Sequence, residues 1–410
     1  MRTVWTVTMT LGISLALAAT CSGAPAGGKR VRLSSPVTHS DWILANDPPP
    51  AWGPEGVRQI LDRAKACGWT RVYWRCFDSG KACYQSKLLE PFDQGEEHNY
   101  WNDHGYTKVI ERMAGVDYGS FDTFKAAMEY GHQIGLEVHA WLSINEDDHG
   151  YGWRSRFARE HPQFRWVRRD GRPYNSQLSF AFPEVRAYKL ALLQEILAYH
   201  PDGVFFDWIR TGDVRDNPQT EPDGVANHGY ETPNLQRFRD LYGLDAHDVP
   251  NNDERWVTVR AEPQTAFMRE AHRLIKAANP SAVISVMVQH PWSYRGSPTD
   301  TPYADSRKGL LCDVGQWARE KLMDEAVAAG YYRGDGTPKK AYRWLKRETR
   351  GRVAVWLYGW ISSPEEFASE IKLAEELGAP ELLLWESNYI SLPPDKADTV
   401  KAMSDYARGQ

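Results

Sequence analysis

The sequence predicts an α/β protein, a single (β/α)8 TIM barrel with long loops after its strands, and three observations carry that expectation. Eight apolar, β-type runs alternate with helical stretches along the chain, the pattern of parallel strands joined by right-handed crossovers. No internal repeat or low-complexity linker divides the 410 residues, a length that one α/β barrel can fill. Most of the strand-like runs end in polar or charged residues, and no glycine-rich phosphate loop follows the first, which disfavours a doubly wound open sheet.

The elements follow in order. Arg2, the mostly apolar run Val4 to Ala19 and the small residues Cys21 to Ala26 read as an export leader over residues 1–26, with cleavage expected after Ala24 or Ala26. Leu17-Ala18-Ala19-Thr20-Cys21 also resembles a lipobox that would anchor a lipid on Cys21, although Thr before the cysteine departs from that motif. The barrel is expected over residues 30–410, starting with a strand at Val31 to Val37. Gly53-Pro54-Glu55 opens a helix that Gly68 closes, and Thr70 to Asp78 is the second strand. A long polar loop, 79 to 119, precedes the helix Phe121 to Ile134, and Leu136 to Ile144 is the third strand. Pro183 starts a helix to about Tyr199, and Asp202-Gly203 leads into the fourth strand, which ends Asp207-Trp208-Ile209-Arg210. After a second long loop, 211 to 232, come helical stretches near 234–242 and 255–278, then strands at Ser281–Gln289, Asp324–Tyr331, Arg352–Trp360 and Pro380–Glu386. Helices near 313–320, 337–349, 364–377 and after Pro394 complete the alternation.

Composition narrows the function. A net charge of −5, a pI near 6.2 and the lack of a basic block argue against nucleic acid as a partner. No segment after the leader approaches the ~20 apolar residues that span a bilayer. Seventeen Trp and 20 Tyr are many for this length, and aromatic faces with polar handles suit sugar rings. Export would permit disulfides, and Cys76 with Cys83 is the closest pair among Cys67, Cys76, Cys83 and Cys312.

The strand ends supply the candidate site. Asp78, Glu146, Asp207 and Glu386 form a set of carboxylates among Trp side chains, as glycosidic cleavage requires: one carboxyl protonates the leaving oxygen and another attacks or activates water. Asp207 is expected as nucleophile or base, with Glu386 or Glu146 as the acid, its pKa raised by aromatic surroundings. Asp78, Arg75, His139, Arg210 and Gln289 are expected to hold hydroxyls, and Trp141, Trp208 and Trp360 to stack on rings. The histidines are scattered without ligand spacing, so neither a metal nor a cofactor is expected. No Gly-x-Ser-x-Gly elbow supports a serine nucleophile.

These residues resemble a known group, the bacterial glycosyl hydrolase-like family 10 barrels. The matching pieces are Gly135-Leu136-Glu137-Val138-His139-Ala140-Trp141-Leu142, and Phe182-Pro183-Glu184-Val185-Arg186 leading to Asp202-Gly203-Val204-Phe205-Phe206-Asp207. Phe121-Asp122 and Ser281 to Ser285 after Asn279-Pro280 also fit, so the resemblance covers about residues 55 to 330. It implies a (β/α)8 barrel in exported proteins acting on glycans, with members linked to peptidoglycan strands. The chain departs from that pattern in places. Trp208 stands where the family often has a second acid, Arg75 and Phe77 replace Gln and Arg, and Ser143 replaces a common Asn; Arg210 matches a basic residue. The expectation is therefore a secreted, periplasmic or cell-envelope glycoside hydrolase with a carbohydrate substrate. Its rivals are a glycan-binding barrel without catalysis and a metal-dependent hydrolase on the same fold.

Overall fold

The computed structural model describes residues 30–38, 40–43, 48–78, 80–92, 111–147, 155–207, 209, 226–289, 306–329, 337–385 and 396–409. Each expected strand forms: β1 Arg32–Val37, β2 Arg71–Asp78, β3 Glu137–Ser143, β4 Gly203–Asp207, β5 Val283–Gln289, β6 Glu325–Ala329, β7 Ala354–Gly359 and β8 Glu381–Leu384. Each pairs in parallel with the next in sequence, and β8 returns to β1 with Leu33 opposite Leu382. The sheet is thus a closed eight-stranded barrel without the free edges of an open sheet.

The eight main crossover and closing helices are α1 Pro54–Ala66, α2 Thr123–Gln133, α3 Pro183–Leu197, α4 Glu254–Ala278, α5 Val314–Glu320, α6 Thr337–Glu348, α7 Pro364–Leu377 and α8 Ala397–Arg408. Their starts obey local chemistry. Proline occupies the first turn of α1, α3 and α7, where its missing N–H costs nothing. Asp122 and Ser363 accept the N–H of Lys125 and Glu366, three residues on, at the starts of α2 and α7. Gly378 ends α7 in the left-handed conformation, with φ 66°.

Alternation along the strands divides the core. One set of side chains, including Val72, Trp74, Val138, Val204 and Ile284, packs outward beneath the helices. The other, Tyr73, Trp141, Phe205, Met287, Val327, Trp356 and Leu383, fills the barrel interior. Spans read from sequence as plain loop contain further order. Short strands Lys81–Ala82 and Glu90–Pro91 extend from β2, and Arg165–Val167 pairs antiparallel with Pro173–Leu178. Lys81–Ala82, Glu90–Pro91 and Arg165–Val167 are too short to impose a period, and Pro173–Leu178 carries too few apolar residues to show one. Among the described residues no helix is long and apolar enough to cross a membrane.

Candidate active site

The carboxyl ends of β2, β3 and β4 bring one group of polar side chains together. Asp207 ends β4 opposite Ser143, the last residue of β3, and is nearly buried at 4% exposure. Its Oδ2 accepts the indole N–H of Trp141 at 3.0 Å. The same oxygen lies 3.8 Å from Nη2 of Arg75, while Nη1 of Arg75 lies 2.8 Å from Oδ2 of Asp78. Nη2 also donates to the Ser143 hydroxyl at 2.5 Å, and the guanidinium sits over the Trp141 ring, 3.9 Å from its centroid. One guanidinium therefore faces the carboxylates of both Asp78 and Asp207.

A bulge in β2 makes this possible. Arg75 is opposite Trp141 but Phe77, not Cys76, is opposite Leu142, so Cys76 is the extra residue. Cys76 and Phe77 both join the outer core, and Asp78 returns to the side on which Arg75 lies. Strict alternation would have put Arg75 and Asp78 on opposite faces.

Glu146 follows β3 by three residues and is buried, its amide donating to the carbonyl of Ser143 at 3.2 Å. Asp147 beside it pairs with Lys189 of α3, both fully enclosed, which pins the segment carrying Glu146 to the barrel wall. Burial pushes the Lys189 ammonium down while the Asp147 carboxylate opposes that shift. The buried Asp147–Lys189 pair had no signature in the spacing, because its members are 42 residues apart on different elements.

Two sequence expectations need correction. His139 was expected to hold a hydroxyl, yet it lies at the other end of the barrel with no exposed surface, its Nε2 3.5 Å from Glu137. Its ring stacks edge-on to Tyr73 and abuts Gly203, the first residue of β4. Four residues before Ser143, it falls on the inward face but two layers too deep. Trp141 was expected to stack on a sugar, but it has no exposed face; its ring lies between Arg75 and Trp385, whose centroid is 5.1 Å away. Its polar edge holds Asp207 instead.

The remaining candidates divide. Trp360 follows β7 by one residue and is half-buried, near the half-exposed pair Tyr358 and Trp385, 5.9 Å apart. Trp385, next to the expected Glu386 and not itself among the expected ring-stacking residues, packs on the interior cluster just past β8. Gln289 ends β5, and only its backbone is described. Glu386, Trp208 and Arg210 lie outside the described residues, as do Cys21 and the leader. No three described His, Cys, Asp or Glu side chains converge as a metal-holding group.

The opposite end of the barrel is an ion-pair plug. Glu381, with no exposed surface, accepts from Arg32 Nε at 2.6 Å and Tyr73 OH at 2.5 Å, and also from Ser34. Arg71 donates to Glu137 and Glu325, both at 2.7 Å. Burial lowers the His139 pKa to about 4, with nearby Arg71 contributing, whereas the close approach of His139 and the charge of Arg71 hold Glu137 at about 2 against burial. These residues open their strands, so they close the floor rather than face a ligand.

Comparison with known proteins gives concordant results. A sequence profile described as glycosyl hydrolase-like 10 matches residues 42–355. Sequence comparison with curated proteins finds no match. Among solved structures, the β-amylase catalytic domain from Paenibacillus polymyxa superposes with a TM-score of 0.55 at 10% identity, covering 93% of this chain and 98% of that one. A β-galactosidase from Marinomonas ef1 gives 0.55 at 12% identity, with 92% and 59% coverage. An α-L-fucosidase from Paenibacillus thiaminolyticus gives 0.51 at 14% identity, with 93% and 49% coverage. The chain thus spans about half to three-fifths of the length of the last two, and at such identities the likeness is one of fold.

Proposed function

The chain belongs to the glycosyl hydrolase-like 10 family, and from that premise we propose that it is an exported glycoside hydrolase that cleaves O-glycosidic bonds in a poly- or oligosaccharide. The observation that carries the reading is Asp207 at the carboxyl end of β4, held by the Trp141 N–H and facing the Arg75 guanidinium. Such an environment suits an anion more than a proton donor, so Asp207 serves as nucleophile or as the base that activates water. Asp78, sharing the same guanidinium, orients Arg75 and a sugar hydroxyl. The proton for the leaving oxygen comes from Glu146, buried beyond the end of the adjacent strand, or from Glu386 beyond the end of β8. Trp360, Tyr358 and Trp385 offer ring faces at the same end.

Export is part of the same proposal and rests on the leader read in residues 1–26. The rival with an observation behind it is a glycan-binding barrel. Asp78 and Asp207 are both drawn to one cation, and Trp208 stands where the resemblance leads one to expect a second acid. Purified chain incubated with a panel of polysaccharides, bacterial cell-wall glycan included, distinguishes the two. Hydrolysis releases new reducing ends; binding of a glycan without any such release favours the rival.

A further inference from the structure

Beyond the bulge, the chain runs back along β2 as Lys81–Ala82, with Asp78 opposite Lys81 and Phe77 opposite Ala82. The next pair along this ladder is Cys76 and Cys83, joined by the Cys83 N–H donating to the Cys76 carbonyl at 2.7 Å. Directly opposed residues of an antiparallel pair have Cα atoms ~4.5–5.5 Å apart and side chains on one face. A disulfide needs ~4.4–6.8 Å. Both residues are buried, and burial together with the neighbouring Cys83 thiol pushes the Cys76 thiol well up. The other described thiols sit elsewhere, Cys67 at the end of α1 and Cys312 against the Ile209 carbonyl.

We propose that Cys76 and Cys83 are a disulfide site, and that the bond staples the β2 hairpin that carries Arg75 and Asp78. The bond forms by thiol–disulfide exchange with a small disulfide such as oxidised glutathione or with a disulfide-carrying oxidoreductase. One cysteine thiolate attacks a sulfur of the oxidant and expels one thiolate. The second cysteine thiolate then attacks the mixed disulfide and expels the other. The two cysteines lose two electrons and two protons, and the oxidant leaves as two thiols. Formation precedes final packing, while the hairpin is open to the oxidant. The product fixes the extra residue Cys76 in its bulge, and with it the turn that returns Asp78 to Arg75. An oxidising compartment, which the leader implies, supplies the conditions. The inference does not depend on the chain being a glycosidase.

Trypsin makes the test direct, because it cuts after Arg75, Lys81 and Lys87 and so separates the two cysteines. The full chain is produced in an oxidising compartment, or refolded in a glutathione buffer, alkylated under denaturing conditions and digested. The expected result is a linked pair, Cys76–Lys81 with Ala82–Lys87, that splits into two alkylatable peptides only after reduction. Wild type refolded with reductant present unfolds at a Tm roughly 2–4 °C below that of the oxidised protein, the scale of a short-loop disulfide in a chain of this size. The same treatment leaves Cys76→Ser/Cys83→Ser unmoved. Recovery of both peptides alkylated without reduction overturns the proposal, as does linkage of either cysteine to Cys67 or Cys312. If the double variant does not fold, the wild-type peptide map decides alone.

Discussion

Asp207 depends on Trp141, whose indole N–H reaches its Oδ2, and on Arg75, which lies over that indole. Trp141→Phe keeps an aromatic ring beneath Arg75 but removes the N–H together with part of the buried ring, so a urea midpoint is read beside the kinetics to separate the lost hydrogen bond from the cavity. A hydrogen bond to a charged group is worth ~1.5–3 kcal/mol, so kcat should fall roughly 10- to 100-fold with KM little changed. Steady-state kinetics on any glycan the protein cleaves reads this; an unchanged kcat would detach Trp141 from the reaction. Glu146→Gln should slow substrates with poor leaving groups by ~10²–10⁴-fold and activated aryl glycosides far less, the mark of a lost general acid. Equal loss on both substrate types would shift that role to Glu386. Asp207 was legible in the sequence because a carboxylate closes an apolar run. Its partners were not, since Trp141 lies 66 residues away and only its buried N–H, not its face, takes part.

Strands carry the next scale, and there the bulge at Cys76 and the plug at the barrel floor both defeat a simple period. His139 satisfies the alternation for an inward residue, but sequence cannot say at which layer an inward residue sits. Gly203 beside it leaves no room: a Cβ there would lie 2.4 Å from the His139 ring and 2.6 Å from the Val283 carbonyl. Gly203→Ala should therefore cost ~1–3 kcal/mol in denaturant unfolding. Glu381→Ala, which strips Arg32, Tyr73 and Ser34 of a shared buried acceptor, should cost ~3–5 kcal/mol. The plug also sets a pH dependence. With the folded His139 pKa near 4 and the ordinary value 6.5, only the unfolded chain takes up that proton between those limits. Stability therefore falls as pH drops from 6.5 to 4, by about 3 kcal/mol from this group alone. Glu137, held at about 2 against an ordinary 4.5, contributes stability above pH 4.5 that is lost as pH falls towards 2. Urea midpoints across pH 3–8 should show the higher step, and His139→Gln should flatten it; a step that survives that substitution belongs to another group.

For the whole molecule, eight runs of β-type residues and the helices between them specify the closed barrel almost completely. Each strand must bury both faces and each helix one, and a parallel sheet closed on itself meets that demand. What the sequence could not supply is which rim residues meet, because closure joins positions more than 100 residues apart, such as Arg75 and Asp207. Residues 31–410 form one compact unit, so a chain beginning at Val31 should fold on its own and unfold in one cooperative thermal transition; a broad transition without cooperativity would contradict this. N-terminal sequencing of exported protein should find Pro25 or Gly27 first, and an intact Met1 would refute the leader. The central claim is that the carboxylate of Asp207 breaks a glycosidic bond at the barrel's rim. Its most direct test is the release of reducing ends by wild type and Asp207→Asn, measured beside glycan binding in the same preparations. The variant should still bind glycan while its turnover falls roughly 10³-fold or more. Turnover equal to wild type would contradict it.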